Sequence, residues 1–146
     1  MPQNFNLEQF VKAQEPVYEQ VLRELRAGRK QSHWIWFIFP QLLGLGESLM
    51  SKQFGIPSVH EAQNYLTHPL LGRRLVECTR TVNRLDERSP LAIFGSPDDL
   101  KFHSSMTLFD RAHPNTCFRE ALDSFFHGRP DPRTVELLQR ARAGRP

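Results

Sequence analysis

Residues 30–48 read KQSHWIWFIFPQLLGLGES, and the reading of this stretch decides the fold. It holds both tryptophans, two of the eleven phenylalanines, a lysine, a histidine and a Gly-x-Gly. Its middle, residues 34–39, is apolar on every side and carries no period. It reads as a core segment, either a short helix capped by Ser32 or a buried strand. Pro40 stops either one. Hydrogen-bonding groups flank the apolar run, which makes the stretch both the core element and the floor of any site. Gly44 and Gly46 form a loop that approaches the core closely. Ser48 then opens a turn of helix that Gly55 ends.

Working outward, the pattern is helical on both sides. Before the stretch, Asn6 with Gln9 forms a capping box, and Leu7, Phe10 and Val11, then Tyr18, Val21, Leu22 and Leu25, recur on one face. Pro16 predicts a kink or a break in that face. Gly28 closes the second part as a glycine just past the helix end, with Arg23 and Arg26 near the negative end of the dipole. After the stretch, Ser58 and Glu61 are a second capping box for a helix to about Thr67. His68-Pro69 breaks the chain and places Pro69 in the first turn of a helix striped by Leu71, Leu75, Cys78, Val82 and Leu85. Ser89-Pro90 and Ser96-Pro97 each read as a cap followed by a first helical residue. The second starts a helix over residues 97–112, with Asp98 and Asp99 in its first turn. Asn115 or Thr116 caps a helix that ends before Gly128, and Asp131-Pro132 starts the last one, whose final residues fray.

No alternating β-branched run and no Asn-Gly hairpin signal occurs, and no repeat period stands out. The fold class is therefore all-α: one domain over residues 1–146, a compact orthogonal bundle of about six to eight helices. With 39% hydrophobic and 24% charged residues the composition is that of a soluble globular chain. The net charge of +3 permits contact with phosphates without requiring it. The basic runs RELRAGRK, GRR and QRARAGR are dispersed solvated helix faces, so a nucleic-acid partner is not expected. The first ten residues lack the basic and apolar regions of a signal peptide, and the longest apolar run, residues 34–39, is too short to span a bilayer. The expectation is a cytoplasmic protein with no membrane contact, a monomer or weak homodimer.

Two constellations carry chemistry. The first is Lys30, Ser32, His33, Trp34, Trp36 and Gln41, where a histidine at a helix start serves as base or donor, tryptophans stack on a planar ligand and a lysine meets a phosphate. The second is Asp98, Asp99, Lys101, His103, Ser104, Ser105 and Thr107, in which Lys101, Ser104 and Ser105 share one patch of a helix near its N-terminus. Each has a bland counterpart: tryptophans are commonly core anchors, and small hydroxyl residues let helices approach closely. The six histidines, at positions 33, 60, 68, 103, 113 and 127, show no zinc spacing. Cys78 and Cys117 form no CxxC, and Cys78 lies on an apolar stripe where a thiol stays protonated. No cofactor motif is present, since LGLGES lacks the third glycine and the preceding strand of a dinucleotide loop.

With those residues in view the chain resembles the bacterial domain-of-unknown-function family 1810. The resemblance runs through FVKAQ at residues 10–14, ELRAGRKQSHWIWFIFPQLLGLGES, YLTHPLLGRRL at 65–75, IFGSPDDLKFHSSMTLF at 93–109 and FHGRPDPRT near the C-terminus. The strings SHWIWFIFPQ and DDLKFHSSMTLF are its specific part. Ile35 stands where the family usually has Met, and Phe102 where it has Leu. The resemblance implies a compact, mainly helical domain and no particular activity. The calpastatin label sometimes given to the family carries no weight, because that kind of protease inhibitor is disordered.

Two functional readings remain. In the first, the two strings meet in one pocket that takes a phosphorylated or nucleotide-like small molecule: Lys30, Ser32, Trp34, Trp36, Gln41, Lys101, Ser104 and Ser105 bind it, and His33 is the catalytic proton-transfer group. In the second, the chain is a protein-interaction module and these residues are structural. Convergence on a cleft favours the first, and burial in mutual hydrogen bonds favours the second.

Overall fold

The computed structural model describes residues 5–143. Among them the chain forms ten helices and no strand: α1 (Glu8–Gln14), α2 (Tyr18–Arg26), α3 (Ile35–Ile38), α4 (Leu49–Phe54), α5 (Val59–Thr67), α6 (Leu71–Asn83), α7 (Pro90–Phe94), α8 (Asp98–Ala112), α9 (Cys117–Phe126) and α10 (Pro132–Ala143). Seven have seven residues or more, and α3, α4 and α7 are single turns. The chain end expected to fray lies outside the described residues. No described helix is long and apolar enough to cross a membrane.

The breaks follow the punctuation of the sequence. Pro16 separates α1 from α2. Ser48, Ser58 and Ser89 accept the backbone N–H of Ser51, Glu61 and Ala92 and so cap α4, α5 and α7. Several expected starts differ. Leu7 holds the cap position of α1, Asn6 Oδ1 accepts the N–H of Glu8 at 2.9 Å and Gln9 donates to the Gln53 carbonyl, so Asn6 and Gln9 form no capping box. Helix α6 starts at Leu71, so Pro69 is not its first residue, and the ring nitrogen Nδ1 of His68 accepts the N–H groups of Leu70 and Leu71, each at 3.2 Å. Helix α8 starts at Asp98 with Pro97 as its cap residue and no side-chain cap, so Ser96 plays no such part.

The 34–39 segment resolves as a helical turn, α3, that packs on α1, α4 and α8. Ser32 does not cap it; the cap position is Trp34, without a side-chain bond. The element most enclosed by others is α8, which touches α3, α5, α7, α9 and α10 and is buried from Ser104 through Phe109. Its small hydroxyl residues allow this. Ser104 and Thr107 each donate back to the carbonyl four residues earlier, Leu100 at 3.0 Å and His103 at 2.9 Å, and Thr107 Oγ1 also accepts the N–H of Asp131 at 2.8 Å, which ties the start of α10 to α8. Aromatic rings join the two signature strings: Phe39 meets Phe102 edge-on at 5.0 Å, and Phe94 stacks on Phe102 at 4.4 Å. A parallel bridge, Leu42 with Ile56, ties the loop after Pro40 to the segment after α4.

Helices α5 and α6 approach until backbone meets backbone. A Cβ on Gly72 would lie 1.9 Å from the carbonyl oxygen of Leu66, so only glycine permits this crossing.

Candidate functional site

Helix α2 ends at Arg26, and Gly28, at φ +75°, turns the chain back over it. Residues 31–34 therefore return along the last turn of α2 and meet Glu24. The Glu24 carboxylate accepts the N–H of Gln31 at 2.9 Å, the N–H and hydroxyl of Ser32 at 3.0 and 2.6 Å, the indole N–H of Trp34 at 2.9 Å and the amide of Gln20 at 3.0 Å. Burial by itself would raise the carboxyl's pKa. The hydroxyl, the two backbone N–H groups and the indole outweigh burial and hold it at about 2.

Lys30 belongs to the same assembly. Its N–H donates to the Ile93 carbonyl at 2.7 Å, and its ammonium donates to the Ser32 carbonyl and lies 2.7 Å from Asp98 Oδ2. The ammonium also sits 4.9 Å over the Trp34 ring. Lys30, Ser32 and Trp34 are thus brought together, around Glu24 and Asp98, in a network whose donors are already engaged. Trp34 is 1% exposed and offers no face to a ligand.

A separate cleft of about 340 Å³ opens where the loop after Pro40, the first turns of α4 and α8, and the start of α10 meet. Gln41, Lys101 and Ser104 line it, so the two strings do share a cavity through these three residues. Glu47, Asp131 and Arg133 complete its charged wall. Asp131 caps α10, accepting the N–H and hydroxyl of Thr134 at 3.0 and 2.6 Å, and lies 3.2 Å from the Ser104 hydroxyl. Lys101 Nζ is 3.9 Å from Asp98 Oδ1, at the edge of ion-pair distance. Arg133 is exposed on the first turn of α10.

The other expected site residues lie elsewhere. His33 is exposed and is not part of the cleft wall. Trp36 is half-buried against the core, and its indole N–H meets no acceptor among the described residues. Ser105 is fully buried, with its hydroxyl likewise unpartnered. The sequence reading passed over Glu24, Asp131 and Arg133 as site residues. Glu24 carried a usable signal, since it falls three residues after Val21 on the apolar stripe of α2. Burial pushes the Cys78 and Cys117 thiols up to about 12 and about 11. Among the described residues no three His, Cys, Asp or Glu side chains gather as metal ligands.

A family model described as "Protein of unknown function (DUF1810)" matches residues 4–138. The chain belongs to the DUF1810 family. The chain is also similar to a solved structure, that of the conserved hypothetical protein Rv1873 from Mycobacterium tuberculosis. The two chains are 55% identical, with a TM-score of 0.90 over 94% of this chain and 99% of the other. No curated protein matches. Neither the family's description nor that protein's names an activity.

Proposed function

We propose that this DUF1810 chain binds a small phosphorylated molecule, of the sugar-phosphate type, in the cleft between the loop after Pro40, α8 and α10. The observation that carries the reading is the convergence of Lys101 and Arg133, from two helices, on one cavity that also presents Gln41 and two carboxylates. Two cations suit a phosphate, and an amide with carboxylates suits ligand hydroxyls. The volume, about 340 Å³, is near the lower end for small-molecule sites and fits one sugar ring with its phosphate. A nucleotide base would find no stacking platform at Trp34, because that ring is buried. His33 lies outside the cleft, so the reading is one of binding and assigns no proton-transfer step.

The second reading, an interaction module whose signature residues are structural, is favoured by a different observation. Lys30, Ser32 and Trp34 spend their polar groups on Glu24, Asp98 and the backbone. A thermal-shift series separates the two, with glucose 6-phosphate, glucose and inorganic phosphate as probes. On the first reading glucose 6-phosphate raises the melting temperature by a few degrees, more than either fragment does, and Lys101→Ala with Arg133→Ala abolishes the rise. No shift with any probe, or an equal shift in the double variant, gives the second reading the field.

A further inference from the structure

A larger groove runs between α5, α6 and the α8–α9 turn, on surface that the cleft does not use. Its volume is about 640 Å³. Leu66, Val76 and Phe118 give it apolar walls, and Arg73 and Arg80 stand in it from α6. We propose that this groove is a second ligand site, built for an amphipathic carboxylate with one anionic head and an apolar body of about eight to twelve carbons.

The charge pattern is the first argument. The groove wall holds two arginines and His113 but no aspartate or glutamate. Among the described residues Arg73 and Arg80 have no carboxylate within ion-pair distance, whereas neighbouring Arg74 is bound to Glu15 at 3.2 Å and Arg119 to Asp123 at 3.3 Å. Glu77, the acid between them in sequence, is turned to the Tyr18 hydroxyl at 2.6 Å. Two guanidiniums without partners beside an apolar wall suit a carboxylate, which each can grip through two parallel hydrogen bonds.

The second argument is shape. Gly72 draws α6 onto the backbone of α5 and closes the groove's floor. Residues seven apart on α6 share a face, so Arg73 and Arg80 stand about 10 Å apart on either side of Val76, and either can hold the head group while the apolar body lies along Val76, Leu66 and Phe118. A strongly hydrated polyanion would gain nothing from those walls, which is why the head is taken as a single charge on a hydrocarbon body. The first turn of α9 opens into the same groove, and Thr116 leaves it without a side-chain cap.

The test is a two-dimensional amide NMR titration of the whole protein with decanoate, hexanoate and decanol. Decanoate is expected to move the amides of Leu66, Val76 and Phe118, and each methylene between hexanoate and decanoate to tighten binding about three- to fourfold. Arg73→Gln with Arg80→Gln should weaken decanoate at least about tenfold and leave decanol unchanged. The Lys pair at the same positions should retain most of the affinity. Both arginines are exposed, so unchanged spectra away from the groove establish that the variants fold. Perturbation elsewhere with the groove silent, equal decanoate affinity in the Gln pair, no dependence on chain length, or no response at millimolar decanoate would each overturn the proposal.

Discussion

Two lysines face one carboxylate. Lys30 Nζ lies 2.7 Å from Asp98 Oδ2 with its side chain 5% exposed, and Lys101 Nζ lies 3.9 Å from Asp98 Oδ1 with 21% exposed. The first is also committed to the Ser32 carbonyl and the Trp34 ring. The second reaches into the cleft. Lys101 stands in one of the specific strings of the family and Lys30 two residues before the other, so nearness to those strings does not separate scaffold from site. What separates them is how many of a polar group's bonding directions the protein already uses. Lys30 has its directions filled and works as structure. Lys101 keeps directions open toward the cavity, and Asp98, held by Lys30 at the N-terminal turn of α8, keeps it in place.

The largest effect should come from the centre of the scaffold. Glu24→Ala removes the acceptor of five hydrogen bonds. It leaves a buried indole N–H and two backbone N–H groups without a partner, which should cost about 3–5 kcal/mol in urea unfolding. A loss below about 1 kcal/mol would erase the distinction between scaffold and cleft. Acid should act on the same group. Its folded pKa of about 2 lies below the ordinary 4.5. Between those values the unfolded chain takes up a proton that the native chain refuses, so lowering the pH favours unfolding. The contribution, about 3 kcal/mol, is present above about pH 5 and lost as the pH falls to about 2. Unfolding free energies measured down that range should fall more steeply for the native chain than for Glu24→Gln. Parallel slopes would show that Glu24 does not carry the acid sensitivity.

Much of the scaffold was legible because it depends on local chemistry. The Ser48, Ser58 and Ser89 caps and the break at Pro16 need only a few neighbouring residues to be recognised. Ser96 failed because the chain before α8 bonds backbone to backbone, Asp99 N–H to the Gly95 carbonyl at 2.9 Å, and uses no side chain there. Glu24 was hidden for another reason. It sits in the basic run RELRAGRK and reads as part of a solvated face. Only the reversal at Gly28 brings Ser32 and Trp34 onto it, and its place on the apolar stripe of α2 was the one local clue. The cleft was half legible. Lys101 and Ser104 share a helix face that spacing reveals, whereas Arg133 arrives from a helix some thirty residues on, and no period in the sequence connects them. Trp34 was misread as a ligand platform because indoles look alike in sequence whether their N–H meets a ligand or, as here, a buried carboxylate.

The sharpest comparison is the smallest chemical change made twice. Lys30→Met and Lys101→Met each keep the length of the side chain and remove its charge. At position 30 the change leaves the Ser32 carbonyl and one Asp98 oxygen without their donor in a place the core covers, and stability should fall by about 1–3 kcal/mol. At position 101 the lost partner is a loose pair across one turn of a half-exposed helix end, and stability should hold within about 0.5 kcal/mol. Ligand response should divide the other way: the glucose 6-phosphate shift survives in a folded Lys30→Met protein and disappears in Lys101→Met. If both variants lose stability equally and the shift is unaffected, Asp98 has two structural lysines and the cleft is only the gap between them. If the effects divide as expected, one carboxylate marks the boundary where the fold ends and the site begins.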